Sequence, residues 1–378
     1  MNQDKSITKV GITGQSGFLG THLYNALGLY PTEFERVPFE DKFFENESEL
    51  ESFVSQCDVI VHLAAMNRHD DSEILYKTNI ELVNKLTSAL DKTGSKPHIL
   101  ISSSIQEDLE NVYGRSKQKA RELLAAWAEK NQSGFTGFLF PNIFGPFGAP
   151  FYNSFIATFC HLLNNGGNPT VDVDKKVPLL YVGDTVEFII SAIRTGKSGN
   201  HIRVPHTKEK KVTEVLELLE HFKLSYAEQG IIPSLQTKFE TDLFNTFRSY
   251  IELQDHNPVH LKLNTDNRGS FVEIIKAGSE GQFSFSTTKP GITRGNHFHT
   301  RKIERFAVIK GRALIQLRKI GTGEILEFEL DGKQPSFVDM PVWYTHNITN
   351  IGIEELYTLF WINEFYNPDD PDTYFEPV

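Results

Sequence analysis

Apolar positions in the first two hundred residues fall into short, nearly unbroken runs, separated by stretches where they recur every three or four residues. Residues 9–13, 58–65 and 99–104 contain runs of the first kind, and a second strand is expected within 34–37. A continuous apolar run bounded by turn residues reads as a strand of parallel sheet covered on both faces. Residues 41–56 place Phe44, Leu50, Phe53 and Val54 at helical spacing, and residues 116–131 do the same with Ala120, Leu123, Leu124 and Trp127. Strand and helix in alternation predict an α/β Rossmann-type doubly wound sheet. Past residue 254 the pattern changes to short strands, at 269–275, 282–286, 306–309 and 313–317, with turns every 8–12 residues or so. That is the pattern of an all-β sandwich or barrel. Two domains are expected, 1–252 and 253–378, with the helical residues 208–250 completing the first.

Composition adds limits. The chain has 378 residues, enough for two or three domains, with 39% hydrophobic and 23% charged residues. Its formal charge of −11 argues against a nucleic-acid or anionic-membrane surface, so any site for a phosphorylated ligand must be local. Two cysteines, Cys57 and Cys160, make no disulfide framework and imply a reducing compartment. The polar start leaves no room for a signal peptide, and no run of about 18 apolar residues is present to span a membrane. A cytoplasmic protein is expected.

Candidate chemistry clusters at three places. Residues 9–13 lead into Gly14, Gly17 and Gly20, and a helical pattern follows. Strand, glycine-rich turn and helix form the context in which backbone approaches a pyrophosphate and a helix N-terminus faces its charge. Gly14, Gly17, Phe18, Leu19 and Gly20 are therefore the expected cofactor turn. At the second strand, Glu35 would read the ribose hydroxyls of NAD and Arg36 the 2′-phosphate of NADP; Arg36 tilts the reading to NADP. Tyr113 and Lys117 stand four apart, on one face of a helix. A neighbouring ammonium favours the phenolate and lowers a tyrosine's pKa, so the pair can act as a tuned proton donor to a developing alkoxide. Ser104, with Ser103 second, ends the preceding strand and is the candidate hydroxyl for the substrate carbonyl. In the β-rich part, His297 and His299 alternate on one strand face, and with Glu304 and His346 they would make a three-nitrogen, one-oxygen site for a divalent metal.

These motifs resemble known families. Thr13 to Gly20 resembles the Thr-Gly-x-x-Gly-x-x-Gly turn of the extended short-chain dehydrogenase/reductases, and residues 58–65 resemble that family's Asp-x-Val-x-His-Leu-Ala-Ala strand. The resemblance implies that Leu63, Ala64 and Ala65 lie against the cofactor, that Asn79 holds the active-site helix and water, and that Pro141 sits near the nicotinamide and Asn142 near a sugar nucleotide. His62 is read as a satisfied core histidine. The arginine often found before the proline is replaced here, with Leu139 and Phe140 in its place. Residues 180–184 resemble the late Tyr-Val-x-Asp strand, and 151–177 would be the variable lobe that reads the substrate. His297 to Glu304 and Pro341 to His346 resemble the paired motifs of the cupin superfamily, small jelly-roll barrels.

A reductase followed by a cupin resembles the CapF-type bifunctional enzymes of capsular polysaccharide synthesis. The match runs through 102–106, 113–117, 289–293, 295–297, 344–348 and the tail 367–375. What it implies is a UDP-sugar substrate in two steps. The cupin epimerises a UDP-2-acetamido-2,6-dideoxy-4-keto-hexose at C3. The reductase, with Ser104, Tyr113 and Lys117, then reduces C4 with NADPH to UDP-2-acetamido-2,6-dideoxy-talose, on the way to N-acetyl-L-fucosamine. Lys302 and His299 are candidate bases in the barrel and Tyr344 a donor to an enolate oxygen. The metal would be zinc, and a homodimer is expected because cupins commonly pair. The alternatives are a single-function 4-ketoreductase carrying a non-catalytic, metal-binding dimerisation cupin, and an NADP-binding regulator without activity.

Overall fold

The computed structural model describes residues 7–267 and 269–378. By packing, the chain divides into two compact units: 1–155 with 174–212, and 156–173 with 213–378.

The first unit is built on a six-stranded parallel sheet. Its strands run in the order Phe34–Val37, Thr8–Thr13, Val59–His62, His98–Ser104, Phe135–Phe140, Gly199–Arg203. Order reverses at Thr8–Thr13, which lies between the second and third strands of the chain, and that reversal is where an open α/β sheet leaves a ligand crevice. The strands are apolar because both faces are covered: Ile60, Ile99, Leu100 and Leu139 are fully buried. One face packs on the helices Glu47–Gln56, Ser72–Thr93 and Val112–Asn131 through Phe53, Val83, Leu86, Leu90 and Leu124. The expected helix at 41–56 is interrupted. A 3-10 turn spans Asp41–Glu45, and Asn46 then caps Glu47–Gln56 by accepting the Glu49 N–H. Three further strands, Asn142–Phe144, Lys176–Tyr181 and Lys208–Lys211, form a small sheet of their own.

The second unit contains two five-stranded sheets. One runs Val259–His260, Ser336–Met340, Glu304–Lys310, Leu356–Ile362, Gln282–Thr288, and the other Ile325–Asp331, Arg312–Lys319, Tyr344–Asn350, Thr293–Phe298, Tyr374–Phe375; every pairing is antiparallel. Leu317, Ile315, Val308, Val338 and Met340 fill the core. The run expected at 269–275 forms a strand only over Gly269–Phe271.

Residues 213–252 group with this β-rich unit, whereas the sequence placed them in the first domain. The reason is a buried polar staple. Arg305 and Asp339 pair across neighbouring strands at 2.7 Å, 1% and 3% exposed. The Tyr226 hydroxyl, from a π-helical stretch at Lys223–Glu228, donates to Asp339 at 2.5 Å. Arg248 donates to the Tyr226 hydroxyl and to the Met340 carbonyl, and Arg305 also reaches the Gly230 carbonyl. Removing one partner of a buried ion pair leaves an uncompensated charge, so these helices cannot be separated from the sheet cheaply. The expected substrate lobe at 151–177 is divided as well: residues 156–173 pack with the second unit, where Asn164 donates to the Phe247 carbonyl.

Candidate active site and metal centre

In the first unit the glycine-rich turn has a steric reason at each glycine. Gly14 has φ +70°, and a Cβ there would meet the Ala64 backbone nitrogen at 2.8 Å. A Cβ on Gly20 would come within 2.2 Å of the Gly14 carbonyl oxygen, and one on Gly17 within 3.2 Å of it. The turn is thus wound tightly, closed by the Gly17 N–H to the Gly14 carbonyl at 3.1 Å, and Gly17 precedes the helix Phe18–Leu27. Phe18, Leu19 and Gly20 form the first helical turn, whose N–H groups have no partner within the helix and suit a phosphate. Leu63, Ala64 and Ala65 pass directly beside Gly14, tied to Thr13 by the Leu63 N–H at 3.1 Å. His62 is buried and shares a 2.8 Å hydrogen bond with Thr13; burial pushes its imidazole down to about 3, so it is a neutral core histidine.

Arg36 is not brought to the turn. Its guanidinium lies 4.3 Å over the Tyr24 ring, donates to the Tyr24 carbonyl, and sits beside Gly28 at the far end of the helix. What reaches the turn is the loop after the second strand: the Phe39 N–H bonds Gln15, and Ser16 bonds Asp41 at 2.8 Å.

A compact connection joins Ser104 to the helix that carries Tyr113 and Lys117. Ser104 ends its strand and caps a 3-10 turn, Ile105–Asp108, by accepting the Gln106 N–H. Asn111 then caps the helix Val112–Asn131 through the Gly114 N–H at 2.7 Å. Gly114 is required here: a Cβ on it would meet the Gln106 carbonyl oxygen at 2.0 Å. An offset of nine from Ser104 to Tyr113 suffices because the helix presses directly on the turn that Ser104 caps. Lys117 is 6% exposed and its ammonium has no hydrogen-bond partner among the described residues; burial pulls it down to about 8, with Glu107 opposing. Ser103 is instead committed to Glu107, itself locked to Arg121 at 2.6 Å.

Tyr113 departs from the expectation. Its hydroxyl donates to Asn67 at 3.1 Å, and burial, with the Tyr152 hydroxyl adding to it, pushes the phenol up to about 12. It is a protonated donor rather than a phenol lowered by Lys117. Asn67 and Tyr152 were not found from the sequence: the Asn67 N–H bonds the Tyr152 hydroxyl at 3.3 Å, a contact 85 residues apart with no motif. Asn79 spends its side chain on protein, holding both backbone groups of Met66 and the Ser116 hydroxyl. It therefore ties the 63–66 segment to the Tyr113 helix. Pro141 is buried at the break between two strands, and Asn142 donates to the Pro178 carbonyl.

In the second unit, His297, His299, Glu304 and His346 offer one ligand atom each within 4.8 Å of one another. His297 and His346 are direct cross-strand partners, and Glu304 opens a strand of the facing sheet. His299 lies just past its strand rather than in it; a bulge at Asn296, φ +59°, re-aims the segment. Glu304 Oε2 is 3.1 Å from His299 Nε2 and 3.2 Å from His346 Nε2. All three atoms are buried without a hydrogen-bond partner. Their other ring nitrogens face carbonyls, Nδ1 of His299 toward Asp372 and Nδ1 of His346 toward Tyr344. Such carbonyls fix the proton on Nδ1 and leave Nε2 as a lone pair. Orphaned donor atoms converging in this way fit a divalent cation, and three nitrogens with one carboxylate suit zinc. Lys302, by contrast, donates its ammonium to the Pro371 carbonyl at 2.6 Å.

With both sites described, comparison with known proteins adds kinship. The NAD dependent epimerase/dehydratase family matches residues 10–204, and the polysaccharide biosynthesis C-terminal domain matches 264–374. The chain belongs to that family, in its CapF-type, two-part form. It is 33% identical over 372 residues to the UDP-2-acetamido-2,6-beta-L-arabino-hexul-4-ose reductase of Pseudomonas aeruginosa, covering 97% of this chain and 98% of that protein. It is 36% identical to the crystal structure of the capsular polysaccharide assembling protein CapF from Staphylococcus aureus, with 98% of this chain and 100% of that chain covered and a TM-score of 0.63. A structure of RMD from Pseudomonas aeruginosa, complexed with NADPH, shares the fold at 22% identity, 57% of this chain, 82% of that one and a TM-score of 0.52. The first unit of this CapF-type chain is thus the Rossmann-like part and the second the β-rich polysaccharide-biosynthesis part. Among the described residues, no helix is long and apolar enough to cross a membrane.

Proposed function

We propose that this chain is an NADPH-dependent UDP-sugar 4-ketoreductase, and that its β-rich unit is a cupin barrel holding zinc and epimerising the same sugar at C3. The substrate is a UDP-2-acetamido-2,6-dideoxy-4-keto-hexose and the product UDP-2-acetamido-2,6-dideoxy-talose, for bacterial capsular polysaccharide. The observation that carries the reading is Lys117, a buried residue whose ammonium has no hydrogen-bond partner among the described residues, one helical turn from Tyr113. The 33% relationship to a reductase of a closely similar keto-sugar supports the substrate class.

A bound nicotinamide supplies hydride to C4. The glycine-rich turn and the first helical turn hold the pyrophosphate, and the Leu63–Ala65 backbone lies along the cofactor. Tyr113 gives its phenolic proton to the C4 oxygen, after exchanging Asn67 for that oxygen. Ser104 donates a hydrogen bond to the same oxygen, and Lys117 holds the ribose hydroxyls and replaces negative charge on Tyr113 with an ion pair. In the barrel, the C3 hydrogen is α to the C4 ketone and therefore acidic. His297, His299, Glu304 and His346 would hold a cation, which would supply positive charge to an enolate oxygen while the C3 proton leaves to a base and returns from the opposite face. The protein works in the cytoplasm, as a homodimer.

A second reading keeps the reductase and makes the barrel silent. One observation favours it: three histidines and a carboxylate already fill four positions, as in a closed structural zinc site, and three of the four are buried. One experiment separates the two. Purified protein, NADPH and the UDP-4-keto-6-deoxy-N-acetylhexosamine are combined in D₂O, and NADPH oxidation and deuterium at C3 are both followed. Two activities predict deuterium at C3 that vanishes in His297→Ala, while that variant still reduces the epimerised ketone. NADPH oxidation without C3 exchange leaves the silent barrel; no oxidation with either nucleotide sinks the reductase as well.

A further inference from the structure

The metal cluster draws three of its ligands from strands and one, His299, from just past a strand, but the segment that aims His297 and His299 is held from elsewhere. We propose that the C-terminal tail, residues 370–378, is the positioning element of the metal centre, with Asp372 its central residue.

Asp372 is 2% exposed and adopts φ +40°, a backbone conformation that costs a side-chain-bearing residue energy unless its surroundings enforce it. Its carboxylate accepts four hydrogen bonds from the connection between His299 and Glu304. These come from the N–H of Thr300 and of Arg301, both at 3.1 Å, the N–H of Lys302 at 3.0 Å, and the Thr300 hydroxyl at 2.7 Å. Its carbonyl faces Nδ1 of His299. The same residue thus satisfies the backbone of the loop after His299 and orients the ring of His299 itself.

Its neighbours extend the hold. The Pro371 carbonyl takes the Lys302 ammonium at 2.6 Å, and Asp370 pairs with Arg301 at 2.8 Å. Tyr374 and Phe375 pair with Phe298 and His297 in antiparallel register. The Glu376 N–H donates to the Asn296 carbonyl at 2.9 Å, at the bulge that re-aims the strand. Residues 296–302 are therefore held in place by a tail about seventy residues later in the chain. Without Asp372 the N–H groups of that loop lose their acceptors, and the His299 ring loses the carbonyl that keeps its proton on Nδ1. Glu304 and His346 sit inside paired strands and depend on the tail less.

The proposal rests on reading the cluster as a metal centre. The test uses the full-length, metal-free protein, Zn²⁺ titrated against a chromophoric chelator, and Co²⁺ as a visible probe of ligand geometry. Asp372→Ala is expected to weaken Zn²⁺ binding by roughly 10–100-fold and to change the Co²⁺ absorption, with Asp372→Asn, which keeps one acceptor, losing less. Affinity within about twofold of wild type and an unchanged Co²⁺ spectrum in Asp372→Ala overturn the proposal. Should that variant not fold, hydrogen exchange on the wild type decides. Binding of Zn²⁺ must slow the amides of Thr300, Arg301, Lys302 and Glu376 beyond those of the Arg312–Lys319 strand, because coupling between metal and tail is reciprocal. Equal exchange with and without Zn²⁺ overturns it. Wild-type protein that takes up no Zn²⁺ sinks the metal reading itself, a separate outcome from tight wild-type binding with an indifferent Asp372→Ala.

Discussion

The two candidate sites are built on opposite plans. In the first unit the groups that matter are spread around a turn and left unspent: helix N–H groups, a buried ammonium, and a phenol on a side chain that can give it up. In the second unit four side chains point at each other, and the carboxylate and two imidazoles have lone pairs aimed at a common point. The first plan suits a large ligand that comes and goes, because its charge is met by backbone and by residues with nothing else to bind. The second suits a small cation that stays. Supporting structure differs accordingly. Glycine contacts wind the first site tight, and a distant tail clamps the second.

The contrast can be broken most sharply at Tyr113. Tyr113→Phe is expected to cut NADPH-dependent reduction by about 10²–10⁴-fold while leaving Zn²⁺ content and cofactor binding unchanged; cofactor titration and steady-state rates check both, and retained turnover would remove the proton donor. Next comes the staple of the second unit. Asp339→Ala leaves Arg305 buried and unpaired, and should cost about 3–5 kcal/mol in chemical denaturation. A loss below 1 kcal/mol would mean that the helices at 213–252 stay docked without it. Gly114→Ala tests the compact connection in the first unit. The added methyl meets the Gln106 carbonyl, so a loss of about 1–3 kcal/mol and a drop in reductase rate are expected, whereas an unchanged protein would show that the turn yields.

Lys117 gives a pH test with two opposite signs. Its ammonium is pulled down to about 8 by burial, so reductase activity should fall as pH rises through that value and the charge is lost. Stability should move the other way. Between about 8 and the ordinary lysine value near 10.5 the unfolded chain binds more protons, and folding gains as pH rises. Lys117→Met should flatten both slopes, and an unmoved alkaline limb would assign that limb to another group. The smallest effect is expected at Arg36. Arg36→Ala should change the KM for NADPH by less than about threefold, on the order of 0.6 kcal/mol, because the guanidinium is stacked on Tyr24. A large rise in KM for NADPH alone would restore Arg36 as the reader of the 2′-phosphate.

What the sequence determined by itself were the features local enough for spacing to express. The strand, glycine turn and helix at 8–27 follow from a buried apolar run and three glycines, each needed by a contact within the same 20 residues or with the adjoining strand end. Tyr113 and Lys117 share a face because four residues make about one helical turn. The metal quartet was legible because ligand chemistry restricts it to few residue types, although the histidine at 299 lies past the strand that spacing assigned it to. Tertiary structure decided what depends on distant partners. Arg36 lies over Tyr24, Tyr113 bonds Asn67, and Lys302 donates to the Pro371 carbonyl. The helices at 213–252 joined the β-rich unit through Tyr226, Arg248, Arg305 and Asp339, four polar residues without a shared motif. Hydrophobic periodicity records which residues are buried. It carries no record of which buried polar group meets which, and those pairings fixed the unit boundaries and the partners that hold the residues of both sites.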